Sequence, residues 1–163
     1  MDSRAAIKTC INSGKMITDA YLGDLTDADL LVRPCPGINH IAWQLGHLIY
    51  AEHAMVESIA PGSMPALPPG FESRYNNETA KSDNPADFLT KEEYLRILNE
   101  QRSGTLAALD SQSDADLYLS VPPPFNSFLA SRGALFSMQG SHWLMHIGQW
   151  AVIRRILNRP PLF

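Results

Sequence analysis

The sequence lacks the features that define several large classes of protein. Only two cysteines occur, Cys10 and Cys35, which is too few for a disulfide framework or a cysteine-rich zinc module. Lysine and arginine total 13 against 17 acidic residues, for a net charge of -4. The basic residues form no cluster beyond Arg154-Arg155. Nucleic acid is therefore not expected as a partner.

Long apolar runs are also absent. No stretch approaches the roughly 20 residues that cross a bilayer, and the start, Met1-Asp-Ser-Arg-Ala-Ala6, lacks the basic-then-apolar order of a signal peptide. We therefore expect a cytoplasmic protein with no membrane partner. The 163 residues, 45% of them hydrophobic, predict one self-folding domain over residues 1–163. Because such a chain needs no ion to hold its fold, any metal is expected to serve function.

Alternating β-branched residues, which are typical of strands, are nearly absent, whereas apolar residues recur at helical spacing. The fold class is therefore predicted to be all-α. Asn39 is the predicted N-cap of the second helix, and Thr90 with Glu93 forms the capping-box pattern at the start of the third. The four predicted helices run from about Asp2 to Leu22, from Asn39 to Ala60, from Thr90 through Leu109 and from Ser131 to Leu157.

Two features of the connections bear on topology. Residues 61–90, rich in proline, glycine, asparagine and serine, form a connection long enough to be a lid, a binding loop or a crossover. Arg74 and Tyr75 in this connection are candidates to reach over a pocket, but no residue in it is assigned to a site. The four residues Asp27-Ala-Asp-Leu30 after the first helix recur as Asp114-Ala-Asp-Leu117 after the third. This short repeat favours two helical hairpins of similar structure.

Three histidines stand out on the second and fourth helices. His142 and His146 are four residues apart, so a helix presents both on one face. At about 100° per residue, they share the predicted core-facing stripe with Leu135, Met138, Met145, Gln149, Ile153 and Ile156. On the second helix, His47 is expected to point inward and His53 outward. Ala51 and Ala54 beside His47 would leave space for a ligand or permit close helix packing.

These histidines have two interpretations. They are either unrelated core residues, each bonded to a hydroxyl or carbonyl, or ligands of one ion. Burying three imidazoles is costly unless their lone pairs are engaged, and one divalent cation engages all three. We therefore predict a buried metal site of His47, His142 and His146, with coordination positions left open as in catalytic centres. Gln149 is a candidate catalytic residue or a core glutamine, and Glu52 is predicted to form a helix–helix salt bridge.

The chain resembles the DinB-like family, a metalloprotein superfamily that includes mycothiol- and bacillithiol-dependent enzymes. The resemblance implies a four-helix bundle of up-down-down-up course with a long crossover between helices 2 and 3, a nickel or zinc ion held by the three histidines, and frequent homodimers. Asn158 replaces the family's usual glycine, and asparagine tolerates the left-handed conformation. The motifs carrying the resemblance are Leu25 to Leu30, Trp43-x3-His47, His142-x2-Met145-His146-x-Gly148-Gln149, and Arg154-Arg155-x-Leu157 with Pro160.

The resemblance does not define a reaction, because enzymes of this family open rings, isomerise, or transfer low-molecular-weight thiols at the metal. We expect a divalent-metal-dependent enzyme, a thiol S-transferase, isomerase or hydrolase acting on a small molecule, with a low-molecular-weight thiol as a candidate cosubstrate. The first alternative is a non-catalytic metal-binding or interaction module that dimerises. The second is a family member whose histidines are only core residues.

Overall fold

The computed structural model describes residues 2–162. All regular structure in that range is helical, which confirms the predicted fold class: α1 Ser3–Leu22, α2 Ile41–Ile59, α3 Lys91–Ser111 and α4 Arg132–Ile156, with short 3-10 turns between them. The long connection between α2 and α3 contains three of these turns, at Glu72–Arg74, Thr79–Lys81 and Pro85–Asp87. None of the helices in the described range carries an apolar stretch able to span a membrane.

The start of α2 differs from the prediction. The N-cap is His40, whose Nδ1 accepts a hydrogen bond from the backbone N–H of Trp43 at 3.1 Å, so the prediction of Asn39 is wrong. Nε2 of the same ring lies 3.1 Å from the carbonyl oxygen of Ser82, which fixes the ring in the capping orientation. The capping box at α3 is confirmed, because Thr90 accepts from the backbone of Glu93 and the Glu93 carboxylate accepts from the backbone of Thr90.

The two core clusters define the direction of each helix. One cluster contains the start of α2 and of α3 together with the ends of α1 and α4, through residues such as Leu45, Leu98, Leu22 and Ile153. The other contains the end of α2 and of α3 together with the starts of α1 and α4, through Val56, Leu109, Ile11 and Leu135. Helices α2 and α3 therefore run parallel to each other and antiparallel to α1 and α4. This is the up-down-down-up course, with residues 60–90 as the crossover.

The Asp-Ala-Asp-Leu sequence that follows both α1 and α3 has the same local structure at its two occurrences. The backbone N–H of Thr26 donates to Asp29 at 2.9 Å, and the N–H of Asp29 lies 3.2 Å from the Thr26 hydroxyl. Ser113 and Asp116 form the same reciprocal pair at 2.9 and 3.2 Å. Each pair opens a 3-10 turn that buries a leucine, Leu30 in the first and Leu117 in the second.

The end of α4 is defined by the contacts of Arg154 and by the backbone conformation of Asn158. Arg154 is buried, donates to the carbonyl oxygen of Tyr21 at 2.9 Å and pairs with Asp24 beyond α1. Two residues after the helix, Asn158 adopts the left-handed conformation with φ of 55°, as expected for a residue at the position where the family has glycine.

The buried stripe of α4 is rotated from the predicted one. Met145 and Ile156, predicted to face the core, are 59% and 48% exposed. Gly140 sets this rotation, since a Cβ there would meet the carbonyl oxygen of Cys10 at 2.5 Å, so that face of α4 lies against α1. The residues of α4 that are buried are Leu135, Phe136, Gln139, Gly140, Trp143, Ile147, Trp150, Ile153 and Arg154.

Candidate metal centre

The structure brings His47, His142 and His146 together at the seam of α2 and α4. Each offers one ring nitrogen, and the three atoms lie within 4.8 Å of one another. The ring centroids of His47 are 5.4 Å from those of both partners, and His142 and His146 are 5.0 Å apart. All three rings are half-buried. They flank the buried stripe, so the cluster faces a cavity instead of lying within the sealed core that the sequence predicted.

Gln44 determines which nitrogen of His146 is free. The indole Nε1 of Trp150, which can only donate, lies 2.8 Å from Gln44 Oε1. The Gln44 atom facing His146 Nδ1 at 2.9 Å is thus an oxygen, so His146 must donate to it. The lone pair of His146 therefore lies on Nε2. A hydrogen bond from the outer nitrogen of a ligating histidine to an oxygen acceptor is a regular feature of metal sites.

His47 and His142 have no protein hydrogen-bond partner among residues 2–162. Both make ring contacts instead: the His142 ring packs against the rings of the other two histidines, and Trp43 is stacked on His47 at 5.1 Å between centroids and 8° between planes. Stacking fixes a ring plane and leaves its nitrogens unengaged. This contrasts with His40, whose two nitrogens both have backbone partners.

Burial favours the neutral form of all three imidazoles by lowering their pKa values. Burial lowers the pKa of His142 to about 4, with the neighbouring His47 adding to the shift. Burial likewise lowers the pKa of His146 to about 4, helped by the other two histidines. Burial also lowers the pKa of His47. Neutral imidazoles keep the lone pair that a metal ion requires.

Gln149 lies behind the cluster. Its Oε1 accepts a hydrogen bond from Gln44 Nε2 at 2.9 Å, and the same nitrogen also donates to the carbonyl oxygen of Asn39 at 2.5 Å. Gln149 is not among the residues that line the cavity. The geometry thus gives it a supporting position, while a catalytic role for it stays a prediction.

A cavity of about 610 Å³ opens beside the histidines. Ala51 and Ala54 line it, so of the two roles considered for these small residues, the structure favours space for a ligand. Tyr75 contributes a wall from the long connection, in which the sequence assigned no site residue. Gly46 positions this wall, because a Cβ there would meet the Tyr75 ring at 2.0 Å. The other lining residues are Trp43, His47, Tyr50, Met55, Asn77, Phe125, Phe128, Met138, His142 and Met145.

A second polar cluster lies deeper in the same seam. The predicted helix–helix salt bridge of Glu52 is confirmed, with its carboxylate 3.1 Å from Arg102 of α3. Thr105 and Trp143 donate to the two carboxylate oxygens at 2.6 and 3.0 Å. Burial raises the pKa of Glu52, and the Arg102 guanidinium opposes that shift.

His53 does not point outward as predicted. Its Nδ1 lies 2.9 Å from Gln101 Oε1 on α3, and the side chain is half-buried. The parallel packing of α2 and α3 brings this face of α2 against its neighbour. His53 therefore belongs to the α2–α3 contact and lies apart from the three-histidine cluster.

The donor set fits a divalent transition metal. Imidazole nitrogens suit zinc, nickel, copper and iron, whereas magnesium and calcium take oxygen ligands. One ring is oriented by an acceptor on its outer nitrogen, and the other two carry unengaged nitrogens next to a cavity. Three protein ligands leave a position for a further molecule, as in catalytic sites.

Fold and site together define an all-helical protein, a four-helix bundle with a three-histidine cluster between its second and fourth helices. The sequence profile of the DinB superfamily matches residues 13–150, and the chain belongs to this superfamily. A crystal structure described as the conserved protein of a locus from Enterococcus faecalis has the same fold, with a TM-score of 0.71 at 15% identity over 98% of this chain and 99% of that one. None of the curated proteins matches the chain.

Proposed function

We propose that the protein is a divalent-metal-dependent enzyme, with nickel or zinc held by His47, His142 and His146. The observation that carries the proposal is the convergence of three ring nitrogens within 4.8 Å beside a cavity, with two of the rings lacking a protein hydrogen-bond partner within the described residues. Core histidines with only a structural role are expected to have their nitrogens hydrogen-bonded, as His40 does.

Different residues of the chain orient the histidines and form the cavity beside them. His47 is held in plane by Trp43, and His146 is held in its tautomer by Gln44. The uncharged cavity walls make the surroundings of the cluster less polar on one side, which strengthens electrostatic interactions there. A divalent cation held by the three histidines would supply Lewis acidity, which would lower the pKa of a bound thiol or water molecule. The reaction types that this supports are thiol S-transfer, isomerisation and hydrolysis of a small molecule.

Metal binding is the direct test. Chelator-treated protein is titrated with nickel and zinc by calorimetry, and the metal content is measured after dialysis. We expect one ion per chain in the wild type and none in His146→Ala. Because His40 and His53 have protein partners, His53→Ala serves as the matched control and is expected to retain the ion. Failure of the wild type to hold nickel or zinc would refute the proposal.

A second candidate function has an observation of its own in favour. None of the described residues that line the cavity is an aspartate, glutamate, lysine or arginine, so no conventional acid or base stands beside the histidines. This favours a module that binds a metal and a ligand without turnover. A screen of thiol-dependent reactions separates the two. Turnover abolished by His146→Ala indicates an enzyme, whereas ligand-dependent thermal stabilisation without turnover indicates the module.

We further propose that the chain forms a homodimer through α4. Leu144, Val152 and Ile156 are at least 36% exposed and fall on one side of this helix. Gly148 lies on the same face with open space where a Cβ would be, so a partner helix can approach closely. Light scattering is expected to give a dimer for the wild type and a monomer for Val152→Lys. A monomeric wild type at micromolar concentration contradicts this proposal.

A further inference from the structure

The walls of the cavity beside the histidines are uncharged. Its described lining comes from α2, α4 and the segments around Tyr75 and Phe125, and contains no ionic side chain. Its volume of about 610 Å³ is typical of pockets for drug-sized ligands. An ionic group placed among such walls loses hydration without gaining a counter-charge, which disfavours its binding.

Two aromatic walls direct their polar atoms away from the cavity. The indole nitrogen of Trp43 lies 3.2 Å from the Thr79 hydroxyl, to which it donates. The Tyr50 hydroxyl donates to the Glu72 carboxylate at 2.5 Å. With these donors engaged by protein, Trp43 and Tyr50 offer a ligand their ring faces, and Glu72 places a negative charge behind the wall.

Few polar side chains in the lining are free to meet a ligand. The hydroxyl of Tyr75 is paired with that of Tyr94 at 2.8 Å. The unengaged polar groups are therefore the imidazoles of His47 and His142 and the exposed amide of Asn77. A ligand that fills the space thus needs a polar group next to the histidines and an apolar body elsewhere.

The exposed side chains at the mouth fit the same pattern. Phe128 and Met145 are 57% and 59% exposed, and both line the cavity. Apolar groups held in water at the edge of a pocket mark a surface that gains free energy when an apolar molecule covers it. The net charge of -4 adds a long-range disadvantage for anions.

We propose that this cavity binds an uncharged, mainly aromatic small molecule whose one polar end reaches His47 and His142. The inference rests on the proposed function in that this end is presented to the three-histidine cluster. It predicts that carboxylate-bearing thiols such as glutathione bind poorly to the metal-free cavity, because their charged groups find no partner in the walls.

The test uses two probes of the same shape and different charge, 2-naphthamide and 2-naphthoate. Both are titrated into the full-length protein after treatment with a chelator, with binding followed by calorimetry and by tryptophan fluorescence, since Trp43 lies in the wall. We expect the neutral amide to bind at least about tenfold more tightly than the carboxylate. Equal affinity, tighter binding of the carboxylate, or no binding of either probe would overturn the inference.

Two variants and a control assign the binding to this cavity. Ala54→Phe fills the space and is expected to abolish amide binding. Ala28→Phe places the same ring in a separate cleft near Leu31 and Phe88 and is expected to leave binding unchanged. Asn77→Lys, at an exposed position, adds a cation at the mouth and is expected to strengthen naphthoate binding. Loss of amide binding in Ala28→Phe but not in Ala54→Phe would refute the assignment.

The outcome for the ligand is separate from the outcome for the metal. The probes are measured on protein without metal, so naphthamide binding does not require the ion. If the protein binds naphthamide but neither nickel nor zinc, the apolar ligand site is supported and the proposed metal-dependent function is refuted. If the protein binds the ion but neither probe, the metal centre is supported and the inference drawn from the cavity walls is refuted.

Discussion

The seam between α2 and α4 contains two polar clusters that differ in how their polar atoms are paired. In the Glu52 cluster, the carboxylate oxygens accept from Thr105 and Trp143 and lie against the Arg102 guanidinium. In the histidine cluster, about one turn earlier on α2, His47 and His142 have no hydrogen-bond partner within residues 2–162. Protein groups donate to both carboxylate oxygens of Glu52, although Nε and Nη2 of Arg102 have no hydrogen-bond partner among the described residues. In the second cluster, no described protein group engages the ring nitrogens of two of the three histidines.

This difference separates a structural role from a functional one. Both clusters place polar side chains where apolar ones would pack, and both use residues of α2 and α4. Glu52 is 1% exposed and isolated from solvent, while the histidines are half-buried beside a cavity. We therefore expect substitutions in the Glu52 cluster to reduce the stability of the fold, and substitutions in the histidine cluster to reduce binding.

The largest expected effect concerns Glu52. Glu52→Ala leaves the Arg102 guanidinium buried without its counter-charge, and the free energy of unfolding is expected to fall by about 3–5 kcal/mol. The measurement is urea unfolding followed by circular dichroism. The double variant Glu52→Leu/Arg102→Met removes both charges and is expected to lose less than Glu52→Ala alone. A loss below about 1 kcal/mol for Glu52→Ala, in the range of exposed ion pairs, contradicts a structural role.

The second effect is stabilisation by metal. Nickel at a hundred times its dissociation constant is expected to raise the free energy of unfolding of the wild type by about 2.7 kcal/mol, because the ion binds only the folded state. His142→Ala is expected to lose this increase while the metal-free variant stays near wild-type stability. The opposite pattern, in which His142→Ala unfolds the metal-free protein and nickel stabilises it as before, would assign the histidine to the fold.

The third effect tests Gln44. Gln44→Leu removes the acceptor that fixes the tautomer of His146, and the affinity for nickel is expected to fall by about 10–100-fold. Nitrogen-15 chemical shifts of the metal-free protein provide a second measurement, since wild-type His146 is expected to be protonated on Nδ1 and the variant to populate both tautomers. Gln44→Glu keeps an oxygen acceptor and is expected to preserve the Nδ1–H form. Unchanged shifts in Gln44→Leu would contradict the positioning role.

The smallest effect is at Gln149. Gln149 contacts the cluster through the Gln44 amide. Gln149→Leu therefore removes one hydrogen bond to Gln44, the residue that positions His146. A net hydrogen bond is worth about 0.5–1.5 kcal/mol, and we expect the affinity for nickel to fall by less than about tenfold. If Gln149→Leu abolished turnover while leaving nickel affinity intact, Gln149 would act on the substrate and the placement behind Gln44 would not describe its role.

Helical periodicity was sufficient to predict the all-α fold class and the four helices, because spacing and caps are local properties of the chain. The up-down-down-up course was expected only from the family resemblance. The capping box of Thr90 and Glu93, the left-handed Asn158 and the charge pairing of Glu52 all agree with the sequence-based predictions. The N-cap of α2 was misassigned because the preference of asparagine for caps is only statistical. In this protein the His40 ring has a second anchor at the carbonyl of Ser82, 42 residues away, which no local pattern contains.

The candidate site could be predicted only in part. The spacing of His142 and His146 placed two rings together, and His47 joined them on the expected inward face. Tyr75 was considered but not assigned to the site, because it reaches the cavity from the long connection. Gln44 was missed because its partners lie more than 100 residues away on α4. A signal for Tyr75 was present in Gly46, whose missing side chain makes room for a ring.

The sequence by itself determined four helices, their order and the three histidines that can face one another, since these follow from the 3.6-residue period of a helix. Only the tertiary structure decided how far α4 is rotated about its own axis. That rotation depends on the close contact of Gly140 with α1 and on which large rings fill the core. It leaves the histidines at the edge of the core instead of its centre, and so gives them a cavity.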